Sequence, residues 1–282
     1  MNTIPQFLNE FLKSQYEENI AKNIINGYSK NRPITLRANT LKTNIDYIKN
    51  IFTKLNISYI NVPWYSDALI LKNISEEQLK NLDIYKNGFI YLQSLSSMIP
   101  PIILNPQENE NILDMTAAPG GKTTEMLALS NNKSFITACE KNKIRAERLK
   151  YNINKQGANK VNVMLTDARN LDNFFSFDKI LLDAPCSGFG VLKRKPEIKY
   201  HDSSIMDGLV SLQALLLENA YYLLKNDGTM VYSTCTINKK ENELMIQKFI
   251  EKHPDMEVVK QRTILNYEYH TDGFFMCKMK KG

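Results

Sequence analysis

The sequence predicts an α/β protein: a parallel sheet covered by helices on both faces, behind a smaller N-terminal α+β unit. Two observations carry this. From about residue 111, continuous apolar runs alternate with segments of helical period, as in a sheet buried on both faces. The first 95 residues carry shorter elements of mixed kind. With 282 residues, 43% hydrophobic and 23% charged, the chain has ample length for a buried core.

The elements follow in order. Two short helical patterns, IPQFLNEFLKSQ and ENIAKNIINGY, lead to strand-like TLRANTL, amphipathic IDYIKNIFTKL, then ISYINV, ALILKN and GFIYLQ. A composition change and Pro100-Pro101 place a boundary near 95–105, giving units 1–95 and 96–282. The strand NILDMTA then precedes the helical GKTTEMLALS, and SFITACE precedes a long amphipathic helix ending near Ala158. VNVMLTD, FDKILLDAP, a helix from about Ser203 to Leu224, and GTMVYSTC come next. Asn238 and Glu241, three residues apart, resemble a capping box opening a helix through ENELMIQKFIEKH. GFFMCKM reads as the last strand.

Several classes are disfavoured. No apolar run approaches the ~18 residues of a membrane helix, and the N-terminus lacks the basic-then-apolar pattern of a signal peptide; a cytoplasmic monomer is expected. The four cysteines, Cys139, Cys186, Cys235 and Cys277, form no Cys-x-x-Cys pair, and none of the three histidines is near one. No metal site is expected, and in a reducing compartment no disulfide. The net charge of +6 suits a polyanionic partner, although a lysine-rich solvated surface has the same charge.

In such a sheet, ligands sit beyond the carboxyl ends of the strands. The first strand of the repeating part ends in Thr116-Ala117-Ala118-Pro119-Gly120-Gly121-Lys122. Its GGKT resembles the end of a phosphate loop, but Thr116 stands where that loop needs its first glycine. The second strand ends in Glu140, twenty residues past Gly120, where an acid can accept from a ribose diol. Asp167 after the third strand is placed to accept from an adenine amino group. Taken singly, either acid reads equally well as a solvated strand-end carboxylate; together they outline an adenosine slot. ATP, a dinucleotide and a sulfonium cofactor all carry adenosine. The broken phosphate loop and the missing Gly-x-Gly-x-x-Gly favour the sulfonium, whose positive charge tolerates acids nearby.

Cys186 and Cys235 end neighbouring strands in this topology and can face one pocket, whereas Cys139 and Cys277 lie inside strands and read as packing. A buried cysteine is usually inert; two in polar company at adjacent strand ends suggest chemistry. Carbon-5 of a pyrimidine is a poor nucleophile, and a thiolate adding to carbon-6 makes it reactive. Asp183 can assist at ring nitrogen-3, and Lys122 can raise the thiolate fraction.

The segments DMTAAPGGKTT, LLDAPCSGFG, RKPEIKY and YSTCT, in this order, resemble the Nop/Sun family of RNA (cytosine-5) methyltransferases. The resemblance covers about residues 93–279 and touches LRANTLK and YLQSLSSMIPP in the N-terminal part. It implies a Rossmann-like S-adenosylmethionine-dependent methyltransferase sheet behind the α+β unit. It further implies Cys235 as nucleophile, Cys186 as the group assisting release, and Asp183 at the cytosine and close to the cofactor. Thr116 to Lys122, Glu140, Arg145, Asp167 and Asp183 would hold S-adenosylmethionine. DNA enzymes resemble the scheme with the other cysteine, so Cys186 is the rival nucleophile. Thr116 and Thr236 depart from the family's usual Cys and Ser without removing a catalytic group.

A base inside a duplex must be flipped out before a thiol reaches it. Lys193, Arg194, Lys195 and Lys199 read as backbone clamps, with Tyr200 stacking or packing beside them. Arg37 and Lys42 read as RNA contacts in an N-terminal domain that recognises shape and phosphates. Compact members of the family resemble archaeal tRNA enzymes, so tRNA is the expected substrate and ribosomal RNA the alternative. A non-catalytic RNA-binding factor and an ATPase are the competing readings from other classes.

Overall fold

The computed structural model describes residues 4–193, 197–198, 203–269 and 271–282. Helices α1 (Gln6–Gln15) and α2 (Glu18–Gly27) open the chain. They are followed by β1 (Ile34–Ala38), α3 (Ile45–Lys54), β2 (Tyr59–Val62), β3 (Tyr65–Leu71), α4 (Glu76–Asn81), α5 (Asp83–Lys86) and β4 (Ile90–Leu92). Helix α6 (Leu95–Leu104) leads into β5 (Asn111–Asp114), α7 (Gly121–Leu129), β6 (Phe135–Glu140), α8 (Lys143–Gln156), β7 (Val161–Leu165) and β8 (Phe177–Asp183). The chain closes with α9 (Ser203–Leu223), β9 (Leu224–Thr234), α10 (Glu243–Lys252), β10 (Met256–Ile264) and β11 (Phe274–Lys281). Among the described residues, no helix is long and apolar enough to cross a membrane.

The seven-stranded sheet has the order β10-β11-β9-β8-β5-β6-β7. Strands β8, β5, β6 and β7 run parallel, whereas β9, β11 and β10 pair antiparallel. The expected parallel, helix-covered architecture is therefore present, with strand order reversing at β5. By contacts the chain parts into two compact units, residues 33–181 and residues 1–32 with 182–282. The division falls within β8.

In the unit of residues 33–181, an antiparallel sheet of order β2-β3-β1-β4 packs its apolar side on α3 and α4. Helix α3 starts where the Asn44 side chain accepts from Tyr47 N–H at 2.9 Å. It buries Ile48 and Phe52, one turn apart on a single face. A capping box between Ser75 and Gln78 opens α4, satisfying donors that the first turn leaves unpaired. The proline pair at the expected boundary lies inside α6. Pro101 lacks the N–H that would bond Ser97 O, and Gln93 Nε2 donates to that carbonyl instead, at 3.0 Å.

In the other unit, α1 and α2 bury Leu8, Leu12, Ala21 and Ile24 against Phe189, Val191, Met206 and Ile237. The sequence groups these two helices with the N-terminal α+β elements; by contacts, their apolar faces pack in the core of the unit that holds residues 182–282.

The capping box read at Asn238 and Glu241 is corrected. Helix α10 begins at Glu243, with no side-chain cap at Asn242. The Glu241 carboxylate does bond Asn238 Nδ2, at 2.8 Å, but it is turned into the interior and serves other donors, so it cannot close a helix N-terminus. Strand β10 was not anticipated. Its central residues, Glu257 to Arg262, are exposed, as suits a sheet edge, and such a segment shows no apolar alternation.

Candidate functional site

In the unit of residues 1–32 and 182–282, the ends of β8 and β9 bring Cys186 and Cys235 together. Their sulfurs lie 3.3 Å apart, and both residues are partly exposed. The Cys186 thiol is held well above the ordinary thiol range, first by its hydrogen bond to Cys235 and then by burial, with the charges of Glu241 and Asp183 acting in the same direction. Either sulfur can donate in this contact. Cys139 and Cys277 are fully buried inside strands, and burial pushes each thiol up to about 12.

Asp183 accepts from Ser233 Oγ at 2.7 Å, which fixes one carboxylate oxygen at the end of β8. The floor under Cys235 is main chain. Gly190 N–H donates to Cys235 O at 3.0 Å, and Gly273 N–H donates to Gly190 O at 3.0 Å. A Cβ at Gly190 would lie 1.9 Å from Gly273 O, so no larger residue fits. Behind the thiols, Ser187 Oγ and Thr236 Oγ1 are 2.8 Å apart, and both contact a polar cluster around buried Glu241 that the sequence reading missed. The signal was present as an acid six residues past Cys235, but it reads as a helix cap.

In the unit of residues 33–181, the loop after β5 is shaped by its own backbone. Ala117 N–H donates to Cys139 O at 2.9 Å, and Gly120 N–H to Ala117 O at 2.7 Å. Gly120 has φ +103, a conformation open to glycine at little cost. A Cβ at Gly121 would lie 2.9 Å from the Tyr91 ring. Asn152 Nδ2 donates to Pro119 O at 2.8 Å, and Lys122 Nζ donates to Ser97 Oγ at 2.8 Å. Half-buried Thr116 precedes this loop.

Glu140 is buried, with one oxygen accepting from Asn142 N–H at 2.9 Å and the other 3.4 Å from Arg145 Nη1. Arg145 also donates to Ala118 O at 2.9 Å, tying the acid to the loop. Asp167 accepts from Arg169 Nη2 at 2.6 Å and from Arg169 Nε and N–H at 3.0 and 3.1 Å. Those contacts hold its carboxyl below the usual range. A carboxylate offers about four acceptor positions. Glu140 therefore keeps one on each oxygen and Asp167 keeps one, which suits the donors of a ribose diol and an adenine amino group. The residues present fit an adenosine cofactor.

The expected RNA contacts fare unevenly. Arg37 is corrected: it is fully buried. It donates to Gly121 O at 2.9 Å, Thr124 Oγ1 at 2.7 Å and Gln93 Oε1 at 3.0 Å, and stands 3.8 Å from Glu125. A guanidinium spent on interior acceptors cannot reach a phosphate. Lys42 is exposed, and its ammonium donates to Asn87 O and Lys155 O at 3.1 and 2.7 Å. Lys193 is exposed and donates to Ser29 O and Asn31 Oδ1 at 3.0 and 2.7 Å. Arg194, Lys195, Lys199 and Tyr200 lie outside the described residues.

Residues 101–280 match the family described as 16S rRNA methyltransferase RsmB/F, and residues 4–76 match its ferredoxin-like domain. The chain belongs to the RsmB/F family. Ribosomal RNA small subunit methyltransferase F of Shewanella loihica is 36% identical over 84% of this chain and 50% of its own length. The 25S rRNA (cytosine-C(5))-methyltransferase nop2 of Schizosaccharomyces pombe is 32% identical over 98% of this chain and 50% of its own. The chain thus spans about half the length of these relatives. Among solved structures, a methyltransferase homolog from Pyrococcus horikoshii has a TM-score of 0.83 at 28% identity, covering 99% of both chains. NSun6 from the same organism, solved with SFG, has a TM-score of 0.90 at 23% identity over 98% of both chains, a likeness of fold. The Rossmann-like methyltransferase sheet implied by the sequence motifs is therefore present in this RsmB/F chain.

Proposed function

We propose that the chain methylates carbon-5 of a cytosine in RNA, with Cys235 as the nucleophile and Cys186 assisting release. The observation that carries this reading is the pair of sulfurs 3.3 Å apart at the ends of neighbouring strands. Ala117 to Lys122, Glu140, Arg145 and Asp167 would hold S-adenosylmethionine, which when bound would supply the methyl group, its sulfonium–methyl bond breaking to leave S-adenosylhomocysteine. Asp183 assists at ring nitrogen-3 as the Cys235 thiolate adds to carbon-6, and the electron pair of the carbon-5–carbon-6 bond becomes available at carbon-5. After transfer, water takes the carbon-5 proton, the double bond re-forms, and the carbon–sulfur bond breaks with its pair returning to Cys235. The Cys186 S–H stabilises that departing sulfur as a hydrogen-bond donor. Lys122 acting on the thiols, and Lys42 and Lys193 acting on RNA, are further parts of this proposal.

The names of the relatives support ribosomal RNA as substrate. tRNA is kept as the second reading because the chain matches a compact archaeal structure over nearly its whole length. The test mixes Cys186→Ala protein with S-adenosylmethionine and, separately, tRNA and small-subunit rRNA transcripts, then runs a denaturing gel. A heat-resistant protein–RNA band, absent from the Cys186/Cys235 double variant, supports the scheme and identifies the RNA. A band with Cys235→Ala instead makes Cys186 the nucleophile. Wild-type protein that transfers no methyl group to any of these RNAs points to a non-catalytic RNA-binding factor.

A further inference from the structure

The geometry points to Glu241 as the positioning residue that sets the spacing of the two thiols. Its side chain is fully buried, an environment that disfavours a carboxylate unless its lone pairs are satisfied. One oxygen accepts from Ser187 N–H at 2.9 Å and Gln213 Nε2 at 2.9 Å. The other accepts from Ser187 Oγ and from Asn238 Nδ2, the latter at 2.8 Å. All four acceptor positions of the carboxylate are thereby used.

These donors come from three separate parts of the chain. Ser187 follows Cys186, Gln213 lies on α9, and Asn238 belongs to the loop that carries Cys235. Ser187 Oγ also meets Thr236 Oγ1, the residue after Cys235. Gln213 Nε2 further donates to Pro185 O at 2.8 Å, the carbonyl just before Cys186. The residues on both sides of Cys186 and the one after Cys235 are thus bound into one cluster centred on Glu241. Glutamine in its place would keep one acceptor oxygen and turn an NH2 toward two donors. The cluster would then have to open, and the sulfurs would move apart.

This inference rests on the proposed role of the thiols, but its first readout is independent of methyl transfer. In the full chain, Glu241→Gln is compared with wild type by the rate at which diamide oxidises Cys186 and Cys235 to a disulfide, two thiols giving one disulfide and the reduced hydrazine. The expected result is a rate lowered about tenfold, because a disulfide forms only within narrow geometric limits. Steady-state methylation is expected to lose about 100-fold in kcat, as for other misplacements near 1 Å, with KM for RNA and cofactor affinity unchanged. Glu241→Asp should recover part of both. If Glu241→Gln does not fold, Ser187→Ala, which removes one hydroxyl, is read in the same two assays. Oxidation rate and kcat at wild-type values in the folded variant overturn the inference. Absence of methyl transfer in the wild type would instead overturn the proposed function and leave the oxidation comparison intact.

Discussion

The thiol pair and the loop after β5 are held in place by different means. Around Cys186 and Cys235, above a main-chain floor, the spacing comes from side chains converging on one buried carboxylate. Around Gly120 and Gly121 it comes from the backbone, with turns closed by main-chain bonds and a side chain, Arg37, bracing the loop from below. The difference fits the roles proposed for the two regions. A thiol pair needs a distance set between two loops, which only cross-links can supply. A cofactor needs a concave wall, which glycines supply by letting the chain approach closely.

The sharpest break in the comparison is Cys235→Ala. It should lower methyl transfer by at least about 10⁴-fold, as loss of a nucleophile commonly does, while calorimetry records unchanged cofactor affinity. A weakened affinity would mean that the two regions are not separable in function. Arg37→Met comes next. It removes the buried donor to Gly121 O, Thr124 Oγ1 and Gln93 Oε1, and should cost about 3 kcal/mol in urea unfolding together with cofactor affinity. A loss of RNA affinity alone would restore Arg37 to the RNA surface. Glu140→Ala removes the buried acceptor and should weaken cofactor binding about tenfold to 100-fold without changing covalent capture by Cys235. An unaltered binding isotherm would refute the ribose role.

The smallest effect is in pH. Burial pushes the Glu125 carboxyl up to about 8, from an ordinary value of 4.5, against the opposing pull of Arg37, Gln93 and Lys122. Between those values the folded state holds a proton that the unfolded chain has released. The stabilisation from this group is therefore complete below pH 4.5 and declines as pH rises toward 8. Glu125→Gln should flatten that decline, measured as urea midpoints at about pH 5 and about pH 8. A slope identical to wild type would show that Glu125 is ionised throughout.

How much the sequence revealed differs between the two regions for the same reason. The placing of the loop after β5 was legible because glycines and strand-end acids are local signals, and Gly120, Gly121 and Glu140 stand where the strand pattern puts them. The pairing of Cys186 with Cys235 was legible because it needs only the strand order. Glu241 was not, since its partners at Ser187 and Gln213 are distant in sequence and its local spacing to Asn238 imitates a helix cap. Arg37 was misjudged because a cation in an N-terminal strand of a basic protein resembles a phosphate contact; only the tertiary fold shows it buried. Strand β10 escaped because an exposed edge leaves no apolar period.

Gly190 and Gly273 cross beneath Cys235 with room only for hydrogen at Gly190. The backbone seat of Cys235 is thus a matter of covalent geometry, with no rotamer to change and no packing volume to retune. Substitution elsewhere can alter which molecule comes to the sulfur, but the sulfur itself stands on ground that sequence drift has no means of reshaping.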